Sequence, residues 1–428
     1  MSRILIRGGR IVDPAAGRDG IADLLVEEGR IAGIGTGLDA AGAEIVDAAG
    51  RLVFPGFIDL HVHLREPGFE YKESILSGAQ AAAAGGFAAV CAMANTDPVN
   101  DHRTVTRWIA DRAREAGFSR VHPIGAITKG LRGEELSEFG EMKEAGAVAV
   151  SDDGRWVANG SVMRRALEYA TLFDLPVATH AEDGSLSGRG AMNEGRVSTR
   201  LGLSAQPGEA ESTAVARDIA LCELAGGRLH VCHVSTARSV ALVREAKARG
   251  VRVTCEVTPH HLFLTDEEVA RSGFSTDTKV NPPLRGAREV EALHAGLVDG
   301  TIDAVATDHA PHHADEKAVD YESAPFGVIG LETAAALFHD RLVRPGTVTL
   351  ARMVELFSSG PARTFSLPGG TLAESGVADV TIFDPSAEVE VDPRAFRSRA
   401  RNTPFAGARL TGAVAATYVG GREVYRRP

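Results

Sequence analysis

Between residues 53 and 368 the chain alternates short apolar runs with longer stretches whose apolar residues recur at helical spacing. The apolar runs are rich in Val, Ile and Ala and have the length of buried strands. Eight of them are centred on Ile58, Ala89, His122, Val148, Val177, Val231, Val253 and Val305. The intervening helical stretches include 71–84, 103–116, 161–172, 210–225 and 237–248. Eight successive βα units predict an α/β fold, a (β/α)8 barrel of the TIM type.

The two ends of the chain have a different pattern, which is β only. Near the start, the runs 23–26 and 30–34 flank a Glu-Glu-Gly turn, as in a β-hairpin. Near the end, 378–383 predicts a strand and 417–425 predicts a second hairpin. Neither half could bury its apolar face alone, so we expect them to form one small β-sandwich module. The predicted organisation is therefore 1–52 and 369–428 for this module and 53–368 for the barrel.

Composition narrows the class of protein. The formal net charge of -11 argues against a nucleic-acid partner and offers no polybasic membrane anchor. Charge and glycine interrupt residues 1–10 too early for a secretory signal, and Gly85-Gly86 splits the most apolar segment, 79–94, so no membrane span is expected. The four cysteines are scattered without a Cys-x-x-Cys pair, which favours a reducing, cytoplasmic location.

Polar residues follow several of the predicted strands at their carboxyl ends, where the active sites of such barrels lie. His61 and His63 end the first strand and, being two apart, point the same way. Further candidates end strands four, five, six and eight: Asp152 or Asp153, His180, His233 and Asp308. In a closed barrel these histidines and carboxylates would converge on one point.

This set of residue types predicts a site for one or two divalent metal ions. Neutral imidazole suits zinc, and a carboxylate can bridge two ions. Metal ions there would make hydroxide available near neutral pH and polarise a carbonyl group. One carboxylate beside them could move a proton to a leaving nitrogen.

The remaining histidines have simpler interpretations. His230 lies three residues before His233, so we expect it to face away from the barrel interior and to be structural. His260 and His261 follow strand seven, where a loop role is favoured over metal ligation. A surface or capping role is expected for four more: His102, His122, His294 and His339.

The chain resembles the class I dihydroorotases of the amidohydrolase superfamily over nearly its whole length. The matching segments are 54–68, 95–98 (Asn-Thr-Asp-Pro), 151–154 (Ser-Asp-Asp-Gly), 179–183, 192–195, 230–235, 258–261, 279–285, 306–312 (Ala-Thr-Asp-His-Ala-Pro-His) and 325–327. The resemblance implies reversible, zinc-dependent cyclisation of N-carbamoyl-L-aspartate to L-dihydroorotate, in pyrimidine biosynthesis.

The resemblance also implies roles for particular residues. Two zinc ions would be held by His61, His63 and Asp308 on one side and by His180 and His233 on the other, with Asp153 between them. Asp308 would also be the catalytic acid and base. The substrate would be bound through its carboxylate by Arg65, Asn95 and His312, and through its ring by Asn281 and the backbone of Phe326 and Gly327. Self-assembly and association with aspartate carbamoyltransferase are further possibilities within the family.

Two alternatives remain open at this stage. Dihydropyrimidinases, hydantoinases and allantoinases share the barrel and the His-x-His, but typically bridge their metals with a carbamylated lysine after strand four. Here that stretch, 147–154, contains no lysine, and the nearest, Lys143, lies in the preceding helix. A non-catalytic scaffold for aspartate carbamoyltransferase is disfavoured because every ligand position is filled.

Overall fold

The structure, a computed structural model, describes residues 3–428. Its strands are β1 (Arg3–Asp13), β2 (Arg18–Glu27), β3 (Arg30–Gly35), β4 (Glu44–Asp47), β5 (Leu52–Pro55), β6 (Phe57–Val62), β7 (Phe87–Ala92), β8 (Arg120–Gly125), β9 (Ala149–Ser151), β10 (Val177–Thr179), β11 (Met192–Asn193), β12 (Ala205–Gln206), β13 (Leu229–Val231), β14 (Val253–Val257), β15 (Ala304–Val305), β16 (Val380–Glu390), β17 (Arg409–Val419) and β18 (Arg422–Arg426).

Its helices are α1 (Ile75–Ala84), α2 (Arg103–Ala116), α3 (Phe139–Ala145), α4 (Gly160–Thr171), α5 (Gly184–Ser187), α6 (Arg196–Leu201), α7 (Glu209–Ala225), α8 (Ala237–Ala248), α9 (Pro259–Phe263), α10 (Glu267–Arg271), α11 (Ala287–Val298), α12 (Ala314–Lys317), α13 (Ala334–Phe338), α14 (Leu350–Val354) and α15 (Gly360–Phe365). In residues 3–428 we find no helix of the length and apolarity that crossing a membrane requires.

Eight parallel strands form the barrel, in the order β6-β7-β8-β9-β10-β13-β14-β15. The ring closes beyond the last strand, where Val62 pairs with His309 and the backbone N–H of His63 donates to the carbonyl of His309 at 2.8 Å. Each of the eight predicted strands coincides with or adjoins an observed one, and α2 and α8 have the predicted bounds. The predicted barrel is therefore confirmed.

Side chains on the two faces of the barrel strands belong to separate cores. Phe57 and Phe87 pack outward against the helices. Ile58, Leu60 and Cys91 fill the interior. Because the interior is packed with side chains, polar chemistry is confined to the strand ends.

The strands from the two ends of the chain form one mixed sheet, in the order β18-β17-β16-β5-β1-β2-β3, with β4 also paired to β1. It has a hydrophobic core of its own, which includes Ile6, Leu24, Ile382 and Tyr418. The predicted terminal module is present, and β5 joins its two halves by pairing with both β1 and β16. The exact domain bounds stay a prediction.

Candidate metal centre and active site

The six predicted metal ligands lie together at the carboxyl ends of five barrel strands. His61 is in β6, and the other five follow β6, β9, β10, β13 and β15: His63, Asp153, His180, His233 and Asp308. All six are buried.

Three of these side chains form one group of metal-binding atoms. Asp308 Oδ1 lies 3.4 Å from His61 Nε2 and 3.1 Å from His63 Nε2. A second group consists of His180 Nδ1 and His233 Nε2, each 3.5 Å from Asp153 Oδ1.

Asp153 lies between the two groups. Its Oδ1 is 3.4 Å from His61 Nε2, and its Oδ2 is 3.4 Å from His63 Nε2. One carboxylate therefore faces both histidine pairs, which is the arrangement that a ligand shared by two metal ions requires.

The separations between these atoms match the coordination of a divalent metal ion better than they match hydrogen bonds between the side chains. Four ligands about 2.1 Å from one ion lie about 3.4 Å apart along the edges of a tetrahedron, close to most of the observed separations. Hydrogen bonds would be shorter. In addition, His61 Nε2 and Asp153 Oδ1 are buried and have no hydrogen-bond partner in residues 3–428. Buried polar atoms without partners are rare, and a bound ion would satisfy both.

The backbone departs from regular strand where it delivers these ligands. The pairing of β6 with β7 shifts register between Asp59 and Val62, so His61 faces the site although Leu60 points into the barrel. His233 and Asp308 have φ angles of 34° and 47°, in the left-handed region that costs energy for residues other than glycine. Such strain clusters at functional sites.

A buried glutamate that the sequence analysis missed holds His61. Glu256 Oε1 pairs with His61 Nδ1 at 2.8 Å, and Oε2 pairs with His230 Nε2 at 3.0 Å. Burial acts to raise the pKa of Glu256, but hydrogen bonds from His230 and His61 lower it to about 2. A carboxylate behind a metal-ligating histidine fixes which nitrogen carries the proton.

The expected outward orientation of His230 was wrong. Its neighbours Leu229 and Val231 pack outward, so His230 points into the barrel, where its ring contacts Phe365. The chain leaves regular strand geometry after Val231. The alternation of side chains therefore cannot be counted back from His233, and doing so predicts the wrong face of the strand for His230.

Asp152 and Asp153 diverge, as neighbours in an extended chain should. Asp152 accepts one hydrogen bond from the backbone N–H of Thr128 at 2.9 Å and another from the Thr128 hydroxyl. These bonds connect the loop after β8 to the loop after β9.

His180 is held by a carboxylate on the side away from Asp153. Its Nδ1 faces Asp153, and its Nε2 lies 3.0 Å from Glu182 Oε2.

Both carboxylates of the centre are charged at neutral pH, as metal ligands must be. Burial acts to raise the pKa of Asp153, but the neighbouring imidazoles, first the charge of His61 and then His180 and His233, lower it well below its usual range. The pKa of Asp308 is also lowered, because His61 and His63 outweigh burial.

The expected substrate-binding residues lie on the open side of this cluster. Every predicted site residue except His61 lines one cavity of about 200 Å³, together with Gly154 and Ala310. Gly327 has a φ of 130°, and a side chain there would lie 2.8 Å from Ala310 Cβ, so only glycine fits this wall.

Two side chains offer donors to this cavity. Arg65 lines the cavity and is half-buried; its Nε donates to the carbonyl of Pro311 at 3.1 Å, and its two terminal nitrogens have no acceptor in residues 3–428. Asn95 Oδ1 pairs with His63 Nδ1 at 2.9 Å, which leaves its amide nitrogen for a ligand. Free guanidinium and amide N–H groups favour a carboxylate.

The wall opposite is held by His312 and by a residue that the sequence analysis did not find. His312 Nε2 donates to the carbonyl of Phe326 at 2.8 Å. Burial and, to a smaller extent, the positive charge of Arg65 lower the pKa of His312 to about 3. Asn402, from the C-terminal segment, donates to the carbonyls of Ala310 and Gly327 at 3.2 and 3.0 Å. No pattern around Asn402 in the sequence signals this contact.

His260 and His261 follow β14 as expected and are buried in α9. His261 Nε2 pairs with the carbonyl of Pro282 at 2.8 Å. Neither belongs to the groups of metal-binding atoms found in residues 3–428.

A barrel with buried histidines and aspartates at its strand ends defines a metal-dependent hydrolase of the amidohydrolase class. Among curated relatives, a dihydroorotase of Anaeromyxobacter dehalogenans (strain 2CP-C) is 55% identical over 427 residues, covering 99% of this chain and 98% of the relative. A dihydroorotase of Syntrophotalea carbinolica is 54% identical and covers 99% of each. The chain belongs to the dihydroorotase family.

Two further comparisons agree with this placement. The family model described as Dihydro-orotase-like matches residues 50–239. Among solved structures, an L-hydantoinase from Arthrobacter aurescens is similar with a TM-score of 0.88 at 27% identity, covering 100% of this chain and 96% of that one. A dihydropyrimidinase from Brevibacillus agri has a TM-score of 0.86 at 25% identity, covering 99% and 95%. The chain is therefore similar throughout to enzymes that hydrolyse cyclic amides.

Proposed function

We propose that this protein is a dihydroorotase that interconverts N-carbamoyl-L-aspartate and L-dihydroorotate in pyrimidine biosynthesis. The observation that carries the proposal is one cavity with the metal-binding cluster on one wall and the free guanidinium end of Arg65 on another. A cyclic amide that also carries a carboxylate would meet both. The family relationship over the full length supports the same substrate.

We propose zinc as the metal, with two ions per chain. His61, His63 and Asp308 would hold one, His180 and His233 the other, and Asp153 would contact both. Metal bound there supplies ionised water near neutral pH and polarises the amide carbonyl. The donor set of imidazoles and carboxylates suits zinc and contains no thiolate.

Asp308 is assigned the proton transfer. In hydrolysis, water adds to the ring amide carbonyl and the carbon–nitrogen bond breaks. Asp308 accepts the proton that the water loses and delivers it to the departing nitrogen. In cyclisation, Asp308 takes the N–H proton as the nitrogen attacks the carboxyl carbon and water leaves. Cyclisation consumes one proton, so acid favours dihydroorotate and alkali favours carbamoyl aspartate.

The remaining cavity residues would orient the substrate. Arg65, the amide nitrogen of Asn95 and His312 would bind its carboxylate, and Asn281 with the backbone of Phe326 and Gly327 would contact the ring. Support comes from the position of all six around one cavity. A neutral His312 has a single N–H, so to donate to the substrate carboxylate it would exchange the carbonyl of Phe326 for the ligand, without adding a charge.

The alternative is a hydantoinase or dihydropyrimidinase activity, as in the similar solved structures. Asp153, where those enzymes typically carry a modified lysine, and Arg65 both favour a dihydroorotase. Self-assembly and association with aspartate carbamoyltransferase stay proposals from the family resemblance.

The test is a hydrolysis assay on purified protein with L-dihydroorotate, dihydrouracil, hydantoin and allantoin, with metal content measured on the same sample. We expect turnover of dihydroorotate alone and about two zinc ions per chain. Turnover of dihydrouracil or hydantoin instead would support the alternative. Absence of turnover with metal bound would point to an enzyme that needs its carbamoyltransferase partner.

A further inference from the structure

A second cavity, of about 360 Å³, adjoins the active-site cavity, and His312 lines both. Basic side chains dominate its wall: Lys72, Lys317, Arg399 and Arg401. The carboxylate among its lining residues is Asp277. In a chain of net charge -11, a concentration of positive charge in one cavity needs an explanation.

Lys317 lies at the base of this basic cavity and is 8% exposed. Its ammonium donates to the carbonyls of Thr276 and Pro325, at 2.9 Å each, and its third N–H has no acceptor in residues 3–428. Burial lowers the pKa of Lys317 to about 8, which leaves the ammonium charged at pH 7. A buried charge with an unused donor is costly unless a partner satisfies it.

Arg399 and Arg401 stand at the rim and are exposed. The guanidinium group of each donates only to backbone carbonyls, that of Arg399 to Glu70 and that of Arg401 to Ser398 and Ala400, and within the described chain neither forms an ion pair. Lys72, by contrast, pairs with Glu316 at 2.9 Å. Three cations of the basic cavity thus face a single carboxylate.

We propose that the basic cavity is a second anion-binding site, which takes a compact dianion carrying two carboxylates or a phosphoryl group. Its volume is that of a small-molecule pocket. The two guanidinium groups supply planar pairs of donors that match carboxylate and phosphate oxygens. The ammonium group of Lys317 would contact the same molecule from the base of the basic cavity. The proposal does not depend on the substrate of the neighbouring active site.

The test is calorimetric titration of the metal-loaded protein with inorganic phosphate and with succinate. In the double variant Arg399→Gln/Arg401→Gln we expect the Kd of the bound anion to rise about tenfold or more. The matched control is Arg394→Gln/Arg409→Gln, two exposed arginines of the same C-terminal segment that already pair with Asp392 and Glu390. The control should bind like the unmodified protein. All four arginines are at the surface, so both double variants should fold, which circular dichroism checks.

A variant of the active-site cavity separates the two sites. Arg65→Gln removes the guanidinium that faces the metal cluster but leaves the basic cavity intact, so anion binding should persist. Loss of binding in Arg65→Gln, or equal binding by the unmodified protein and Arg399→Gln/Arg401→Gln, would overturn the proposal, as would a failure of both anions to bind. Preference for phosphate would identify a phosphorylated ligand, and preference for succinate a dicarboxylate.

Discussion

Glu256 Oε1 lies 2.8 Å from Nδ1 of His61, and both side chains are fully buried. The pair joins two strands that are distant in sequence and leaves Nε2 of His61 as the atom available to a metal ion. A negative charge behind the imidazole increases its basicity, so Glu256 acts on the metal centre through His61.

The first prediction concerns this pair. Glu256→Gln keeps the shape of the side chain but removes its charge, and we expect metal affinity to fall by about 10–100-fold. Competition with a chromophoric chelator measures the affinity. Glu291→Gln, at an exposed position of α11, is the control. Equal affinity in both variants would show that Glu256 only supports the fold.

The second prediction tests the proton transfer assigned to Asp308. In Asp308→Asn the side chain can no longer accept a proton, and kcat should fall by about 10²–10⁴-fold. Metal content is determined on the same sample, because Asp308 also belongs to the metal-binding group. Asp315→Asn, an exposed change in α12, should leave kcat unaltered. An Asp308→Asn enzyme with unreduced kcat and full metal would refute the assignment.

The third prediction concerns recognition of the substrate carboxylate. Arg65→Lys keeps the charge but loses the planar pair of donors, so KM for dihydroorotate should rise by about 10-fold or more while kcat changes little. Steady-state kinetics separate the two constants. Arg107→Lys, on the exposed face of α2, serves for comparison. If KM stayed constant in Arg65→Lys, the carboxylate would have to bind elsewhere.

The barrel and the ligand positions could be predicted from the sequence because both depend on local patterns. Alternating strands and helices determine the fold class. A polar residue directly after a strand, such as His180 after 177–179, indicates the end of the barrel where the active site lies. Glu256 had a detectable signal, since it is the one charged residue inside the strand Val253–Val257.

Other features could not be predicted because they depend on contacts between distant parts of the chain. Asn402 reaches the carbonyls of Ala310 and Gly327 across 92 and 75 residues of sequence. The inward orientation of His230 depends on irregular backbone at His233, and residue counting assumes a regular strand.

The fourth prediction follows from Asn402. Asn402→Ala removes two hydrogen bonds to the cavity wall and the acceptor for the backbone N–H of His312 at 3.3 Å. We expect KM to rise severalfold and the free energy of unfolding to fall by about 1–3 kcal/mol. Asn159→Ala removes the N-terminal cap of α4, which should cost about 1 kcal/mol without changing KM. A KM unchanged in Asn402→Ala would mean that the wall is held by other contacts.

The fifth prediction concerns the pH dependence of stability. Glu332 accepts hydrogen bonds from the backbone N–H groups of Arg397 and Ser398, yet burial raises its pKa from 4.5 to about 7. The folded state therefore keeps this proton at pH values where the unfolded chain has lost it. The contribution of Glu332 to stability is fully present below pH 4.5 and is lost as the pH rises to about 7.

Glu332→Gln removes this titration while keeping an oxygen acceptor. The stability of the variant relative to the unmodified protein should therefore improve from pH 5 to about pH 7 and then level off, as urea denaturation at several pH values would measure. Glu134→Gln, at an exposed position, should show a constant difference over the same range. A constant difference for Glu332→Gln as well would mean that Glu332 has the same proton affinity in the folded and unfolded chain, and that burial does not control its charge.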